Sequence, residues 1–316
     1  MSRRHGPVRR FVRRWRGRPG VLPWLLWQPQ RALLLLLSRL PERWSAGLVG
    51  GIGRLAWLSE RRRTIGRDHL AQALPGLDPR ERDRILKASC RSLGLMGAEA
   101  LVFAPRLTGG RFEQRLDFEP GAEALLRAHA GGPAILIQAH LGSFELGAAG
   151  LGAVGMRPAF PMRVPNNWYL AQRLLRGRSE WGVKVVPRQG AVRHLLRHLH
   201  AGLQVVLATD QSAHHNPIQV PWFGRSAPTE RAAAALAFKT GAPVLVSWCY
   251  RPRPGGRWLL GAELVQPGGP PSRADEADLA ELLARVHVAL EKAILRRPEQ
   301  YLWIHDRYRI RTDADG

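Results

Sequence analysis

From about residue 112 onward, the sequence alternates between short apolar runs and longer segments with helical patterns. Short apolar runs bounded by glycine, proline or polar residues are typical of buried strands, and intervening helices allow such strands to pair in parallel. This alternation predicts an α/β fold with a mostly parallel central sheet flanked by helices. The predicted strands are 134–138, 158–162, 183–186, 203–209, 244–250 and 258–265, and the predicted helices are 147–154, 168–181, 192–200, 229–240 and 275–295.

The region before this alternation is predicted to be mainly helical. Residues 60–103 have a helical pattern with a break at Pro75 and Gly76, and Asp78 is a suitable cap for the second segment. In the later region, Ser143 and Thr229 are predicted to cap the helices that follow them, because a side-chain oxygen can accept a bond from a free helix N–H.

The N-terminal region combines basic and apolar character. Its first 18 residues contain eight arginines and no acid, with Phe11 and Trp15 among them. The apolar stretch 21–40 is interrupted by proline, glutamine and arginine, so it falls short of the roughly 18 uninterrupted apolar residues of a spanning helix. We predict helices that lie on an anionic, cytosol-facing membrane surface. A single tilted spanning helix and a buried helical hairpin below a basic tail are the alternatives.

This composition predicts a division of the chain into two parts. Residues 1–58 form a basic tail with membrane-associating helices, and residues 59–316 form the α/β domain. The net charge of +23 predicts anionic partners, namely nucleic acid, lipid head groups or an acidic protein. A nucleic-acid-binding protein is therefore an alternative, although no recognised binding motif occurs. Cys90 and Cys249 are far apart and have neither metal-ligand nor disulfide spacing, which fits a reducing cytoplasm.

The segment 138–145 carries the residues best suited to chemistry. His140 follows a predicted strand, Gly142 permits a tight turn, and Glu145 lies in the next helix. In one continuous helix, residues five apart differ in direction by about 140°, but across a strand–turn–helix junction they can meet. The Glu145 carboxylate could then bind one imidazole nitrogen and leave the other free to take a proton from an alcohol. The alternative is a structural histidine at a strand end.

The same segment resembles the His-x-x-x-x-acid motif of the late acyltransferases of lipid A biosynthesis, the lauroyl/myristoyl transferase family. Five further segments are similar to this family in the same order, with Ser143-Phe144, Asn167 and Asp306 as departures. These segments are 62–75, 162–167, 210–224, 227–229 and 298–305.

The resemblance implies transfer of a fatty acyl chain from a thioester to a hydroxyl of a lipid A precursor or related glycolipid. The donor would be acyl-acyl carrier protein or acyl-coenzyme A, and the site would lie at the cytoplasmic face of the inner membrane. No metal or other cofactor and no nucleic acid are expected. Phospholipid, mannoside and aminolipid acceptors, and an inactive membrane scaffold, are the alternatives.

The remaining candidate site residues are polar side chains in these segments. The resemblance implies that Arg163 stabilises the oxyanion that forms on the thioester carbonyl, and a surface arginine is the alternative. The expected substrate-binding residues are Asn166, Asp210, Gln211, Arg307 and Arg309. Asp210 and Gln211 follow an apolar strand, where they either hold the acceptor or shape the pocket. Arg307 and Arg309 either bind a phosphate or acidic carrier or belong to a solvated basic tail.

Overall fold

The centre of the molecule is a seven-stranded sheet in the order β1-β9-β8-β2-β5-β3-β4. The computed structural model describes residues 17–107, 109–213, 215–251, 253 and 256–309. Strands β8, β2, β5, β3 and β4 run parallel, whereas β9 is antiparallel to β8 and pairs in parallel with β1. The strands are β1 (Leu116–Phe118), β2 (Ala134–Gln138), β3 (Ala159–Met162), β4 (Lys184–Pro187), β5 (Gln204–Ala208), β6 (Ile218–Trp222), β7 (Arg225–Thr229), β8 (Val244–Tyr250) and β9 (Trp258–Gln266).

Helices cover both faces of this sheet, so the predicted α/β fold with a mostly parallel sheet is confirmed. Strand β2 is buried along its whole length, which explains why its sequence is continuously apolar up to Gln138. The helices are α1 (Val21–Arg39), α2 (Glu42–Arg54), α3 (Glu60–Ala73), α4 (Pro79–Ala98), α5 (Ala122–Ala128), α6 (Phe144–Ala153), α7 (Trp168–Ser179), α8 (Ala191–His200), α9 (Ala232–Thr240) and α10 (Glu276–Arg296).

Of the three predicted helix caps, one is confirmed and two are wrong. The Asp78 carboxylate accepts bonds from the backbone N–H groups of Arg80 (2.7 Å) and Glu81 (3.1 Å) at the start of α4. Thr229 instead ends β7, which forms an antiparallel hairpin with β6 before α9 begins at Ala232. Ser143 precedes α6, but its hydroxyl makes no capping bond, since it donates to the Glu99 carboxylate.

The N-terminal helices pack closely on the rest of the molecule. Gly53 of α2 and Gly94 of α4 meet so closely that a Cβ added at Gly94 would lie 2.3 Å from the Val49 carbonyl oxygen. From α1, Trp27 and Leu37 are buried in the core. The division at residue 58 therefore remains a prediction about function, while helices on both sides of it share one packed interface.

Among the residues that the structure describes, no helix is both long enough and apolar enough to cross a lipid bilayer. Helices α1 and α2 nevertheless expose many large apolar side chains. The arginine-rich segment 1–16, with Phe11 and Trp15, lies outside the described residues.

The close contact between α2 and α4 leads to a prediction about the free energy of unfolding. We expect Gly94→Ala to destabilise the protein by about 1–3 kcal/mol, because the added methyl group has no room between the two backbones. Gly97→Ala is the matched control on the same helix: no atom lies within 4 Å of its added Cβ, so the better helix propensity of alanine should leave stability equal or slightly higher. Urea unfolding measures both free energies, and equal values for the two variants would contradict the packing argument.

Candidate active site

Two parallel strands bring His140 and Asp210 together. Strands β2 and β5 pair with Gln138 opposite Ala208. His140 and Asp210 each come two residues after this pair, at equivalent positions beyond the two strand ends. The two residues therefore lie side by side at the carboxyl edge of the sheet, where sites in open α/β sheets gather. Asp210 comes 70 residues after His140 in sequence, yet it contacts the histidine directly.

The Asp210 carboxylate binds the histidine at two points. Its Oδ1 atom lies 3.0 Å from His140 Nδ1, and its Oδ2 atom accepts a bond from the His140 backbone N–H at 2.8 Å. The Asp210 side chain is only 1% exposed, compared with 22% for His140, so the carboxylate lies behind the ring. With Nδ1 as the donor to Asp210, the Nε2 atom carries the lone pair and faces away from it.

The electrostatics of this pair favour a charged histidine. Burial works to lower the pKa of His140, but the charge and hydrogen bond of Asp210, with a contribution from Glu145, outweigh it and raise the pKa above its usual value. Burial also works to raise the pKa of Asp210, but His140 and Arg307 overcome that effect, so the pKa of this carboxyl is lowered. Asp210 is thus an ionised partner that stabilises an imidazolium.

Glu145 has a different partner from the one its sequence position predicts. It was expected to bind His140, but the structure gives the imidazole bond to Asp210 and pairs Glu145 with the Arg178 guanidinium, whose Nε lies 3.1 Å from Glu145 Oε2. Glu145 lies in the first turn of α6, which directs it toward Arg178 of α7. The Glu145 and Arg178 side chains are 14% and 8% exposed, so this ion pair is largely desolvated.

An apolar cleft of about 350 Å³ opens directly onto His140 and Glu145. Helices α4 and α7 and their flanking residues form most of its wall, and the lining is mainly aliphatic. Phe144 lies beside the histidine, with ring centroids 5.0 Å apart. The aliphatic lining includes Leu93, Met96, Leu101, Leu170, Leu174 and Leu302. A cleft of this character has the apolar lining that a hydrocarbon chain requires, and His140 forms part of that lining.

Gln211 is the neighbour of the second imidazole nitrogen. Its side-chain Nε2 lies 3.3 Å from His140 Nε2, which is a long hydrogen bond from amide to ring. The side chain is exposed, so a substrate hydroxyl could replace it beside Nε2. The structure therefore brings the predicted residues Asp210 and Gln211 directly onto His140.

Arg307 occupies a buried position rather than the surface position expected for phosphate binding. It is 1% exposed, and its guanidinium donates to the carbonyl oxygens of Gln211 (3.1 Å) and Pro228 and to the Thr229 hydroxyl (2.7 Å). The Arg307 guanidinium contacts the protein itself, and its role in binding a phosphate or an acidic carrier stays a prediction. The half-buried Arg309 accepts a bond from the Ser212 hydroxyl through its backbone oxygen at 2.7 Å.

Arg163 and Asn166 lie in the loop that follows β3. Since β3 neighbours β5, this loop starts at the same edge of the sheet as His140 and Asp210. Both residues are exposed, and the Asn166 carbonyl accepts a bond from the Gly17 N–H at 2.9 Å. Neither is among the residues that line the apolar cleft, so their roles in the reaction stay predictions.

A buried polar cluster holds the turn after His140. The Glu99 carboxylate, 1% exposed, accepts bonds from Ser143 Oγ and from Nε and Nη2 of Arg251, and Arg251 Nη2 also donates to the Gly142 carbonyl at 2.6 Å. Gly142 has a φ of 59°, and a Cβ there would lie 2.2 Å from the Cys249 carbonyl oxygen. The predicted glycine turn is therefore confirmed, and this cluster supports it.

Three of these side chains were not found from the sequence. Arg178, Glu99 and Arg251 lie in segments whose local patterns differ little from those of other charged residues. The signal that identifies them is burial, because charged side chains are rarely buried without a partner or a task. Their burial is known only from the three-dimensional structure, because it results from the packing of the helices against the sheet.

Comparison with known proteins places this chain in a family. The profile of the family described as bacterial lipid A biosynthesis acyltransferase matches residues 23–310. The chain belongs to this family. It is 28% identical over 300 residues to the lipid A biosynthesis palmitoleoyltransferase of Escherichia coli K12 and to a lipid A biosynthesis acyltransferase of Shigella flexneri, covering 93% of this chain and 94% of each relative. The lauroyltransferase of Escherichia coli K12 is 28% identical over 298 residues, with 92% and 93% coverage.

Membership in the lipid A acyltransferase family confirms the resemblance of the sequence segments and identifies the chain as an acyltransferase. The matched region contains His140, Glu145, Arg178 and Asp210. Acyl transfer to an alcohol requires a base for the hydroxyl proton and a place for the chain. The His140–Asp210 pair and the adjoining cleft are the candidates for these two tasks.

Proposed function

We propose that this acyltransferase moves a fatty acyl chain from an acyl thioester to a hydroxyl of a lipid A precursor, with His140 as the general base. The observation that supports this most strongly is the position of His140: Asp210 binds its Nδ1 atom, and the residue forms part of the lining of an apolar cleft. The relatives named for lipid A biosynthesis support the acceptor.

In the proposed reaction, the acceptor hydroxyl lies beside His140 Nε2 and the acyl chain occupies the apolar cleft. Nε2 takes the hydroxyl proton while the oxygen attacks the thioester carbonyl carbon. The resulting oxyanion collapses, the carbon–sulfur bond breaks, and the thiolate leaves with the proton that His140 returns. The products are an ester and a free thiol, and Asp210 stabilises the imidazolium between the two proton transfers.

Glu145 has a supporting part in this proposal. Its negative charge adds to that of Asp210 in raising the pKa of His140. Arg178 binds the same carboxylate and fixes its position in the cleft wall. Glu145 and Arg178 are therefore positioning residues.

Lipid mass spectrometry tests the proposed function. A strain that lacks this protein should produce lipid A that lacks one acyl chain, and purified protein should restore that chain from acyl-acyl carrier protein or acyl-coenzyme A. The two donors should be compared at equal concentration, since the basic chain suits both acidic carriers. Unchanged lipid A with an altered phospholipid or other glycolipid would show that the acceptor is wrong.

Arg163 remains our candidate for oxyanion stabilisation. We expect Arg163→Ala to lower kcat by the equivalent of about 3 kcal/mol, because a lost oxyanion donor has that typical effect. The control is Arg197→Ala, on α8, whose guanidinium bonds only to His194 among the described residues, at 2.9 Å. Steady-state kinetics with one donor measures both, and small, equal effects on kcat would remove Arg163 from the mechanism.

We propose that the protein lies at the cytoplasmic face of the inner membrane. It binds this membrane peripherally, through an exposed apolar surface. We call this surface the apolar platform: the exposed large side chains of residues 21–58. They are Val21, Trp24, Leu25, Leu26, Leu33, Leu35, Leu36, Trp44, Leu48, Ile52, Leu55 and Leu58. So many exposed large apolar side chains within 38 consecutive residues are uncommon on a protein surface that contacts only water, and helices with exposed apolar faces lie at lipid interfaces.

Polar substitutions on the apolar platform should weaken membrane binding. We expect Leu25→Asn with Leu36→Asn to lower binding to vesicles by tenfold or more, since each leucine loses roughly 1.5–3 kcal/mol of burial in lipid. The leucines are 53% and 54% exposed in the protein, so folding should be unaffected. The control is Val192→Asn with Val288→Asn, which are 51% and 50% exposed outside the platform. Equal vesicle flotation of both double variants would place the membrane surface elsewhere.

A further inference from the structure

A second cleft, larger than the one at His140, lies at the same edge of the sheet. It has a volume of about 720 Å³ and lies between α2, α4 and the adjoining ends of β8 and β9. Helix α4 separates the two clefts: Ser92 and Leu95 face the larger one, whereas Leu93 and Met96 face the cleft at His140. We call the larger cleft the arginine cleft. None of the candidate catalytic groups described above lines it.

Five arginines line the arginine cleft, and their positions differ. Arg251 is 11% exposed and uses its guanidinium on Glu99, Ser92 and Gly142, so it forms part of the floor. Arg257 pairs with Asp117 at 2.8 Å, and Arg253 is exposed. Among the described residues, the remaining two, Arg91 and Arg297, form no ion pair with an acidic side chain. The full set of arginines is Arg91, Arg251, Arg253, Arg257 and Arg297.

The acidic residues of the lining are mostly neutralised by arginines. Glu42 pairs with Arg115 at 2.8 Å, while Glu99 and Asp117 pair with arginines of the cleft itself. Glu299 adds one further negative charge to the lining. Arg91 and Arg297 thus leave the cleft with an excess of positive charge, which suits an anion.

Close packing against α2 restricts the side chain of Arg91. A Cβ added at Gly50 of α2 would lie 2.8 Å from both Cγ and Nε of Arg91, so the arginine side chain crosses α2 where that helix has no side chain. Arg91 is half-buried as a result, which restricts its guanidinium more than that of a fully exposed arginine. Arg297 directly follows α10 on another part of the lining.

Helix α2 places the cleft beside the apolar platform. Its Glu42 and Ala46 line the cleft, while Trp44, Leu48 and Ile52 are exposed on its other side as part of the platform. The cleft wall also contains apolar groups, among them Leu95, Phe103 and Trp258. A ligand with a phosphate and the start of an acyl chain therefore finds both kinds of contact within one cleft.

We propose that the arginine cleft binds the phosphate-bearing head group of an anionic membrane phospholipid, with Arg91 and Arg297 as its phosphate ligands. This inference rests on the proposed membrane association. The bound lipid holds the protein on the bilayer in a fixed orientation, with the catalytic cleft on the other side of α4. The lipid undergoes no reaction there, because His140 lies in the neighbouring cleft.

Short-chain lipids below their micelle concentration test this site without a membrane surface. Isothermal titration calorimetry should detect saturable binding of dihexanoyl phosphatidylglycerol, and at least tenfold weaker binding of dihexanoyl phosphatidylcholine and of inorganic phosphate. Arg91→Gln with Arg297→Gln should weaken phosphatidylglycerol binding by about tenfold or more. The matched control is Arg39→Gln with Arg43→Gln, which removes the same charge from exposed positions of α1 and α2 outside the cleft.

Three results would overturn the proposal. They are the absence of saturable binding, equal losses in the two double variants, and inorganic phosphate that binds as tightly as the lipid. If the double variant unfolds by circular dichroism, Arg297→Gln alone serves, because this residue is exposed, and it should still weaken binding about threefold. Lipid binding does not require acyl transfer, so its failure and a failure of the proposed function are observed separately.

Discussion

Replacement of His140 with alanine is expected to abolish acyl transfer in a protein that stays folded. An alcohol is a weak nucleophile at neutral pH, and His140 is the imidazole that faces the cleft at the carboxyl edge of the sheet. We expect kcat to fall by about 10⁴-fold, since removal of a general base that acts with an orienting carboxylate has effects of this size. A thioester-dependent transfer assay measures the loss.

The control for this variant is His200→Ala, at the exposed end of α8, which should retain activity within about twofold. Circular dichroism and thermal unfolding establish that the His140→Ala protein is folded. A folded His140→Ala protein with a rate near that of the wild type would show that the proposed mechanism is wrong.

Asp210→Asn should have the second-largest effect. The asparagine keeps the size of the side chain and can still accept a bond from the His140 N–H, but it removes the negative charge behind the ring. We expect a loss in kcat of about 10²–10⁴-fold, by analogy with orienting carboxylates in catalytic triads. The double variant with His140→Ala should be no worse than His140→Ala alone, because the two side chains act as a unit.

The pH profile distinguishes this role from a purely structural one. Deprotonated His140 is the active base, and the raised pKa of His140 means that wild-type activity falls as the pH drops through that value. Without the Asp210 charge, burial dominates and lowers the pKa of His140, so the acidic limb of the profile should move to lower pH. An unchanged acidic limb in a folded Asp210→Asn protein would mean that Asp210 does not act through the histidine.

The sequence was sufficient to predict most of the sheet but not all of its strands. Strands β2 and β8 have the predicted bounds because both are continuously buried and therefore continuously apolar. The β6–β7 hairpin was missed because Pro221 and Pro228 disfavour central strands and its pattern is half polar. Strand β1 has only three residues, too few to show a period.

The sequence predicts which residues belong to the candidate site better than it predicts which of them contact one another. The sequence favours Glu145 as the partner of His140 because the two residues flank a predicted strand–turn–helix junction and fit the His-x-x-x-x-acid motif. Asp210 takes that place because the register of β2 on β5 depends on pairing between segments 70 residues apart, which local patterns do not encode. The buried position of Arg307 depends in the same way on how the C-terminal segment packs below β7.

His140 and Asp210 lie at the ends of adjacent strands, whereas the cleft beside them has walls made by helices. The position of the two side chains and the shape of the cleft therefore depend on different parts of the chain. Backbone pairing fixes the positions of the two proposed catalytic groups, whereas the wall of the proposed acyl-chain cleft consists of helix side chains such as Leu93, Leu170 and Leu174. Substitutions in that wall can lengthen or shorten the accepted chain without moving a strand. Under the proposed mechanism, relatives can therefore differ in the fatty acid that they transfer while the geometry of His140 and Asp210 stays the same.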